Sequence, residues 1–214
     1  MDVGQKAPPR GHRHGYHSVR ESILQVAREI MRAEGVGGLT LNEVARRLGM
    51  RAPSLYTYFA SKHDLYDALF LLGMREYRRR LAAAVAGNDS WGGRLAAVMA
   101  DYMAFADENP ELYALCFERP VPGFVPSQES MVEASGLLED GRSLFEQALA
   151  SRALESGMSA PATRDLALAL MHGLTALRRA NEPEAEPGTG RFAPLVPAAV
   201  ALLMRAWTPQ EDHP

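Results

Sequence analysis

The chain has 214 residues, 47% hydrophobic and 23% charged, enough for one large domain or for a small domain joined to a larger one. Its longest apolar run, Leu195–Met204, is ten residues against the 18 or so that span a membrane; the N-terminus has no apolar signal stretch, and the lone Cys116 excludes a disulfide framework or a cysteine-type zinc site. The expectation is a cytoplasmic protein with no membrane partner, metal or cofactor, and its net charge of −3 divides as +6 over residues 1–80 and −9 over the rest, the balance of a polyanion-binding head on an acidic body.

Turn signals and caps divide the chain into helices, and no alternating apolar–polar run suggests a strand. The fold class is all-α, a three-helix head and a larger helical-bundle body, about nine helices in all. Residues 1–17 read as a flexible basic arm. Ser18 with Glu21 forms a capping box that starts the first helix, which runs to about Glu34 and stops at Gly35. A second capping box, Thr40 with Glu43, opens a short second helix with Leu41, Val44, Ala45 and Leu48 on one face and Gly49 at its end. Pro53 suits the first turn of a third helix whose buried stripe is only Leu55 and Phe59. Ser61 and Asp64 start a fourth, Lys62 to about Ala86, long enough to connect head and body.

Beyond it, helices are expected over Trp91–Glu108, Pro110–Glu118, Ser127 to about Ser156, Pro161 to about Asn181, and Ala193 to Trp207. Loops fall at 120–126 and 182–190, where prolines and glycines cluster. The last helix is apolar nearly all round, so it must be covered on both sides. Residues 87–208 then form the body and 209–214 a disordered tail.

The second and third helices, joined at Gly49, Met50 and Arg51, have the dimensions of a helix-turn-helix. The second member of such a pair must keep its buried stripe narrow, so that other side chains stay free for bases and phosphates. With Leu55 and Phe59 turned inward, Arg51, Ala52, Ser54, Thr57 and Tyr58 face out, and Lys62 lies just beyond. Arg51 suits a guanine contact, while the methyls of Ala52 and Thr57 suit thymine.

Leu39, Thr40, Leu41, Ala45, Leu48 and Gly49, followed by Leu55, Tyr56, Tyr58, Phe59, Ser61, Lys62 and Leu65, resemble the N-terminal domain of the TetR family of transcriptional regulators over residues 18–66. Tyr58 stands where that family often has histidine. The resemblance implies that Thr40 binds a phosphate at the second helix's start, that Arg51, Ala52, Pro53, Ser54 and Thr57 sit in the major groove, and that Tyr56, Tyr58 and Lys62 reach phosphates. Asp165–Asn181, with Met171, His172 and Gly173, is similar to the His-Gly-containing helix of one TetR C-terminal subgroup. That likeness implies a ligand-binding and dimerisation body, with Leu170, Leu174, Val196, Val200, Leu203 and Trp207 at a homodimer interface. It also implies a repressor released from an inverted-repeat operator in double-stranded DNA by a small-molecule effector.

Met99, Tyr102, Phe105, Tyr113, Phe117, Met171 and His172 are candidates for a largely apolar effector pocket, a mostly hydrophobic concavity needing few polar anchors. His12, His14 and His17 have a metal-binding pattern but read as part of the basic arm with Arg10 and Arg13. No Walker or Rossmann glycine loop, zincin motif or nucleophile elbow is present, so the chain does not read as an enzyme. The alternative is a helical small-molecule-binding protein or enzyme with a vestigial head.

Overall fold

The computed structural model describes residues 10–208, with side chains from Tyr16 onward. The N-terminal half of the expected arm, residues 1–9, and the tail at 209–214 lie outside the described residues.

The helices are α1 (Arg10–Glu34), α2 (Leu41–Arg47), α3 (Ala52–Leu55), α4 (Lys62–Ala86), α5 (Trp91–Glu108), α6 (Pro110–Tyr113), α7 (Gln128–Ala150), α8 (Ala160–Asn181) and α9 (Val196–Trp207). A π-turn, Ala114–Glu118, continues α6, and short 3-10 turns precede α2 and α9. There is no strand among the described residues.

Local chemistry places most of these elements. Thr40 caps α2, its Oγ1 accepting from the Glu43 N–H at 3.2 Å, but the Glu43 carboxylate takes Arg46 and Arg47 at 2.7 Å and so forms only half of the expected capping box. The C-terminus of α2 closes as a Schellman motif: Met50 N–H donates to Ala45 O and Gly49 N–H to Arg46 O. Gly49 supplies the positive φ of 63° that this motif requires. Ser61, Ser90, Ser127 and Ser159 cap α4, α5, α7 and α8 in the same way.

Two boundaries differ from the sequence reading. α1 begins at Arg10, so Ser18 is interior, and Ser22 Oγ donates to its carbonyl at 2.9 Å. The early turns have an anchor that no cap signal reveals, the Tyr16 ring stacked on Tyr58 at 4.7 Å. α7 ends at Ala150 rather than near Ser156. There the chain turns through Arg152 at φ 56° to bury Leu154, and Glu155 N–H donates to Trp207 O at 2.6 Å.

The head packs Ile23, Ala27 and Ile30 of α1 against Leu39, Val44, Leu55, Phe59 and Leu65. Tyr66 of α4 is fully buried and donates to Val36 O at 2.6 Å, fastening the connector to the α1–α2 link. The body is a bundle in which α4 packs on α5 and α7, α7 on α8, and α5 on α8 and α9. No helix among the described residues is long and apolar enough to cross a membrane.

Val196, Val200, Leu203 and Trp207 of α9, expected at a homodimer interface, are instead buried within the chain itself. They are the side of α9 that packs on α5 and α8. The outward apolar side chains are Leu166 and Leu177 of α8 and Leu202 of α9, with Leu195 just before it, while Leu170 and Leu174 are half-buried.

Candidate nucleic-acid interface and body cavity

The outer face of the head is built by exclusion. Leu55 and Phe59 are buried, and Arg20 lays its guanidinium 5.0 Å from the Phe59 ring. Arg51, Pro53, Ser54, Tyr56 and Thr57 are exposed; Ala52, Tyr58 and Lys62 are half-buried. Thr57 Oγ1 donates to Ser54 O at 2.7 Å, which spends its proton and leaves lone pairs outward.

The cations of this face differ in freedom. Arg46 and Arg47 are held by Glu43, and Arg47 also by Glu34 at 2.9 Å. The hydrogen bonds from Arg46 and then Arg47 draw the Glu43 carboxyl down to a pKa of about 2. Lys62 folds back, its Nζ donating to Gly37 O at 3.2 Å and lying 5.2 Å from the Tyr66 ring. The Arg51 side chain has no hydrogen-bond or ion-pair partner among the described residues, so it can meet a base or phosphate without first breaking a contact. His17 is exposed; the side chains of His12 and His14 are outside the described set, and no metal-binding group of His, Cys, Asp or Glu occurs among the described residues.

Beneath the head, α4, α5, α7 and α8 enclose a half-open cavity of about 540 Å³. Met99, Tyr102, Phe117, Met171 and His172 are on its wall. Phe105 and Tyr113 are not, and this corrects the expected set: each is buried one layer back, its ring against Phe117 at 6.5 and 5.4 Å. Arg80 covers Phe105 and Arg179 covers Tyr113 from the far side. Sequence reasoning missed the side the cavity takes from α4 and α7, including Tyr77, Arg78, Leu137, Leu144 and Phe145, together with Trp91 and Arg164. One signal existed in Gly136 and Gly141, where a Cβ would stand 2.8 Å from the Arg78 guanidinium and 3.3 Å from Arg164 Cδ. These glycines let two long cations lie across α7.

At the inner end, Tyr102 OH and His172 Nδ1 are hydrogen-bonded, with Tyr113 OH at 3.5 Å from the same nitrogen. Burial lowers the His172 pKa below 6.5 and raises those of Tyr102 and Tyr77, so all three are neutral near pH 7. Cys116 is buried behind this layer with its thiol pushed up by burial, which makes it a packing group rather than a reactive thiolate.

The cavity and the head meet at one joint. The Glu111 carboxylate of α6 is fully buried and accepts from Arg28 Nε at 2.8 Å and from Arg32 Nε at 3.0 Å, both on α1. Arg28 also donates to Asn109 Oδ1 at 2.8 Å and Arg32 to Glu108 O at 3.2 Å. Two helical turns of α6 and its π-turn thus carry Glu111 toward the head and Phe117 toward the cavity. The π-turn presses on α4 where Gly73 permits it, since a Cβ there would stand 2.6 Å from Cys116 Sγ.

Residues 23–69 match the family described as bacterial regulatory proteins, tetR family, and residues 95–196 match the tetracyclin repressor-like C-terminal domain. An HTH-type transcriptional regulator of Mycobacterium tuberculosis is 28% identical over 108 residues, 50% of this chain and 46% of that protein; the chain thus spans about half the length of the curated relatives it matches. Among solved structures, a Rhodococcus sp. RHA1 protein of unknown function superposes with a TM-score of 0.75 at 24% identity, covering 89% of this chain and 95% of that one. The transcriptional regulator FadR from Bacillus subtilis, solved in complex with stearoyl-CoA, gives a TM-score of 0.71 at 16% identity over 87% and 98%.

Proposed function

The chain belongs to the TetR family of bacterial regulatory proteins, and from that premise we propose that it is a sequence-specific DNA-binding transcriptional regulator, a repressor released from its operator by a small-molecule effector. The observation that carries the reading is the outer face of α3, where a four-residue helix buries only Leu55 and leaves Arg51, Ser54 and Thr57 outward. Such a face contributes little to the head's own core and has the hydrogen-bonding groups that read a major groove. Residues 18–66 are the DNA-binding head, α4 the connector and 87–208 the effector-binding and dimerising body. In the groove Arg51, Ala52, Pro53, Ser54 and Thr57 face bases, and Thr40, Tyr56, Tyr58 and Lys62 face phosphates, Lys62 giving up its bond to Gly37 to do so.

A second copy covers the outward apolar face formed by Leu166 and Leu177 of α8 with Leu202 of α9, the half-buried Leu170 and Leu174 lying at its edge. A self-complementary patch of this kind suits a two-fold dimer, which places two recognition helices on half-sites about 34–36 Å apart or a multiple of that distance. The effector occupies the body cavity. It acts by favouring a placement of α4 and of the Glu111 joint that the DNA-bound dimer does not have, and it must bind that state more tightly to cause release.

Gel shift with the duplex upstream of the chain's own coding sequence tests the reading. A retarded band that is lost with rising salt and is competed by the same duplex, not by a scrambled one, is the expected result. Equal competition by both duplexes at every salt concentration contradicts it.

A further inference from the structure

We propose that the body cavity takes an elongated, uncharged molecule, an apolar chain ending in a single hydroxyl or carbonyl group that seats against Tyr102 and His172. The inference rests on the cavity's role as the effector site and adds the ligand's chemistry. Three features of the wall set that chemistry.

The first is shape. The wall runs along α4 from Met74 to Ala86 and along α5 from Trp91 to Tyr102, a distance of about 17 Å at the helical rise per residue. A compact ligand would fill one end and leave the rest open.

The second is charge. Four charged side chains border the space, Arg78, Arg94, Arg164 and Asp140, and all but Arg94 are ion-paired. Arg78 donates to Asp140 at 2.6 Å and to Glu133 at 3.2 Å, which also occupies Asp140. Arg164 donates to Asp165 at 2.9 Å and to Leu138 O at 3.1 Å. Arg94 donates to Asn88 O at 2.8 Å and lies 5.6 Å from the Trp91 ring. A carboxylate could pair only with Arg94 beside Trp91, two turns of α5 from Tyr102, so a carboxylate or ammonium seated at the inner end is buried without a counter-ion, which costs several kcal/mol.

The third is the polar cluster of the inner end, the Tyr102–His172 pair with Tyr113 OH 3.5 Å from Nδ1. Tyr102, Tyr113 and neutral His172 bring one proton each, and two hydrogen bonds among them leave the group one donor free in either tautomer. If Tyr102 donates to Nδ1, the imidazole carries its proton on Nε2; if Nδ1–H donates to Tyr102, a phenol O–H of Tyr102 or Tyr113 is released. A hydroxyl or carbonyl oxygen accepts in both cases. The rings of Tyr77, Tyr102, Phe117 and His172, 5.2 to 5.8 Å apart, surround the Tyr102–His172 bond.

The test uses the full chain at pH 7.5 and three probes of one length, 1-decanol, decanoate and decylammonium, with binding read by tryptophan fluorescence, to which Trp91 on the wall contributes, and by thermal shift. 1-Decanol is expected to bind at least tenfold more tightly than either charged probe, and Tyr102→Phe and His172→Phe each to weaken it about fivefold to tenfold while leaving the unliganded melting temperature of the Tyr102→Phe chain within a few degrees. Decanoate or decylammonium binding as tightly as the alcohol overturns the proposal, as does alcohol binding that neither substitution changes. Gel shift run in parallel separates the two claims. Alcohol binding by a chain that shifts no operator sustains the cavity chemistry and sinks the regulatory reading; an operator shift by a chain that binds no alcohol does the reverse.

Discussion

The head and the body reach their candidate sites by opposite routes. In the head, a few residues close together in sequence do everything: Thr40 caps α2, Gly49 turns the chain, and Leu55 and Phe59 hold α3 down so that Arg51 and Thr57 stay out. In the body, the site is a space left between helices whose contributing residues lie nearly a hundred positions apart, from Met74 to His172. A convex site made of local signals tolerates loss of its outward residues without loss of fold. A concave one made by packing does not, because its wall is also the core.

That contrast predicts where substitutions cost stability and where they cost only binding. The largest effect is expected at the joint between the regions: Glu111→Ala strands Arg28 and Arg32, of which Arg28 is the more buried, and should destabilise by about 3 kcal/mol in urea unfolding. An unchanged midpoint would mean that head and body are energetically separate. Next, Gly73→Ala forces a methyl against Cys116 Sγ at 2.6 Å and should cost about 2 kcal/mol by overpacking, seen as a lower melting temperature. In the head, Arg51→Ala should leave the melting temperature in place and lower operator affinity about tenfold; Lys62→Ala should lower it less and reduce the salt slope by about 1, since that ammonium is already spent on Gly37. A fall in stability on Arg51→Ala would break the comparison. Thr40→Ala removes a cap and should cost about 1 kcal/mol.

The smallest effect is in pH. Burial holds the His172 pKa below 6.5, so between its folded pKa and 6.5 the unfolded chain binds more protons than the folded one. Stability is then fully present above pH 6.5 and falls as pH drops through that window. A His172→Phe chain should lose this dependence. Glu43, drawn down by Arg46 and Arg47, adds a second loss only as pH falls from 4.5 toward 2.

The same contrast explains what the amino-acid sequence disclosed. Helix starts marked by Thr40 and Ser61 were legible because a cap acts within three residues of itself. The start of α1 was not, because Tyr16 on Tyr58 is a tertiary contact that outweighs the Ser18 signal. The outward side chains of α3 followed from the spacing of two apolar residues. Phe105 and Tyr113 were assigned to the cavity by residue type alone, which cannot distinguish a wall from the layer behind it. The inward turn of Val200 and Trp207 depended on how α9 is rotated against α5, and a helix apolar nearly all round carries no periodic signal for that rotation.

The central claim is that the head reads DNA sequence, and selection from a random-sequence duplex library with the full-length chain at physiological salt tests it most directly. The account predicts enrichment of an inverted repeat whose half-site loses definition at one base pair when Arg51 is replaced by Ala. Enrichment of no motif, or of the same motif with undiminished definition by the Arg51→Ala chain, would contradict it.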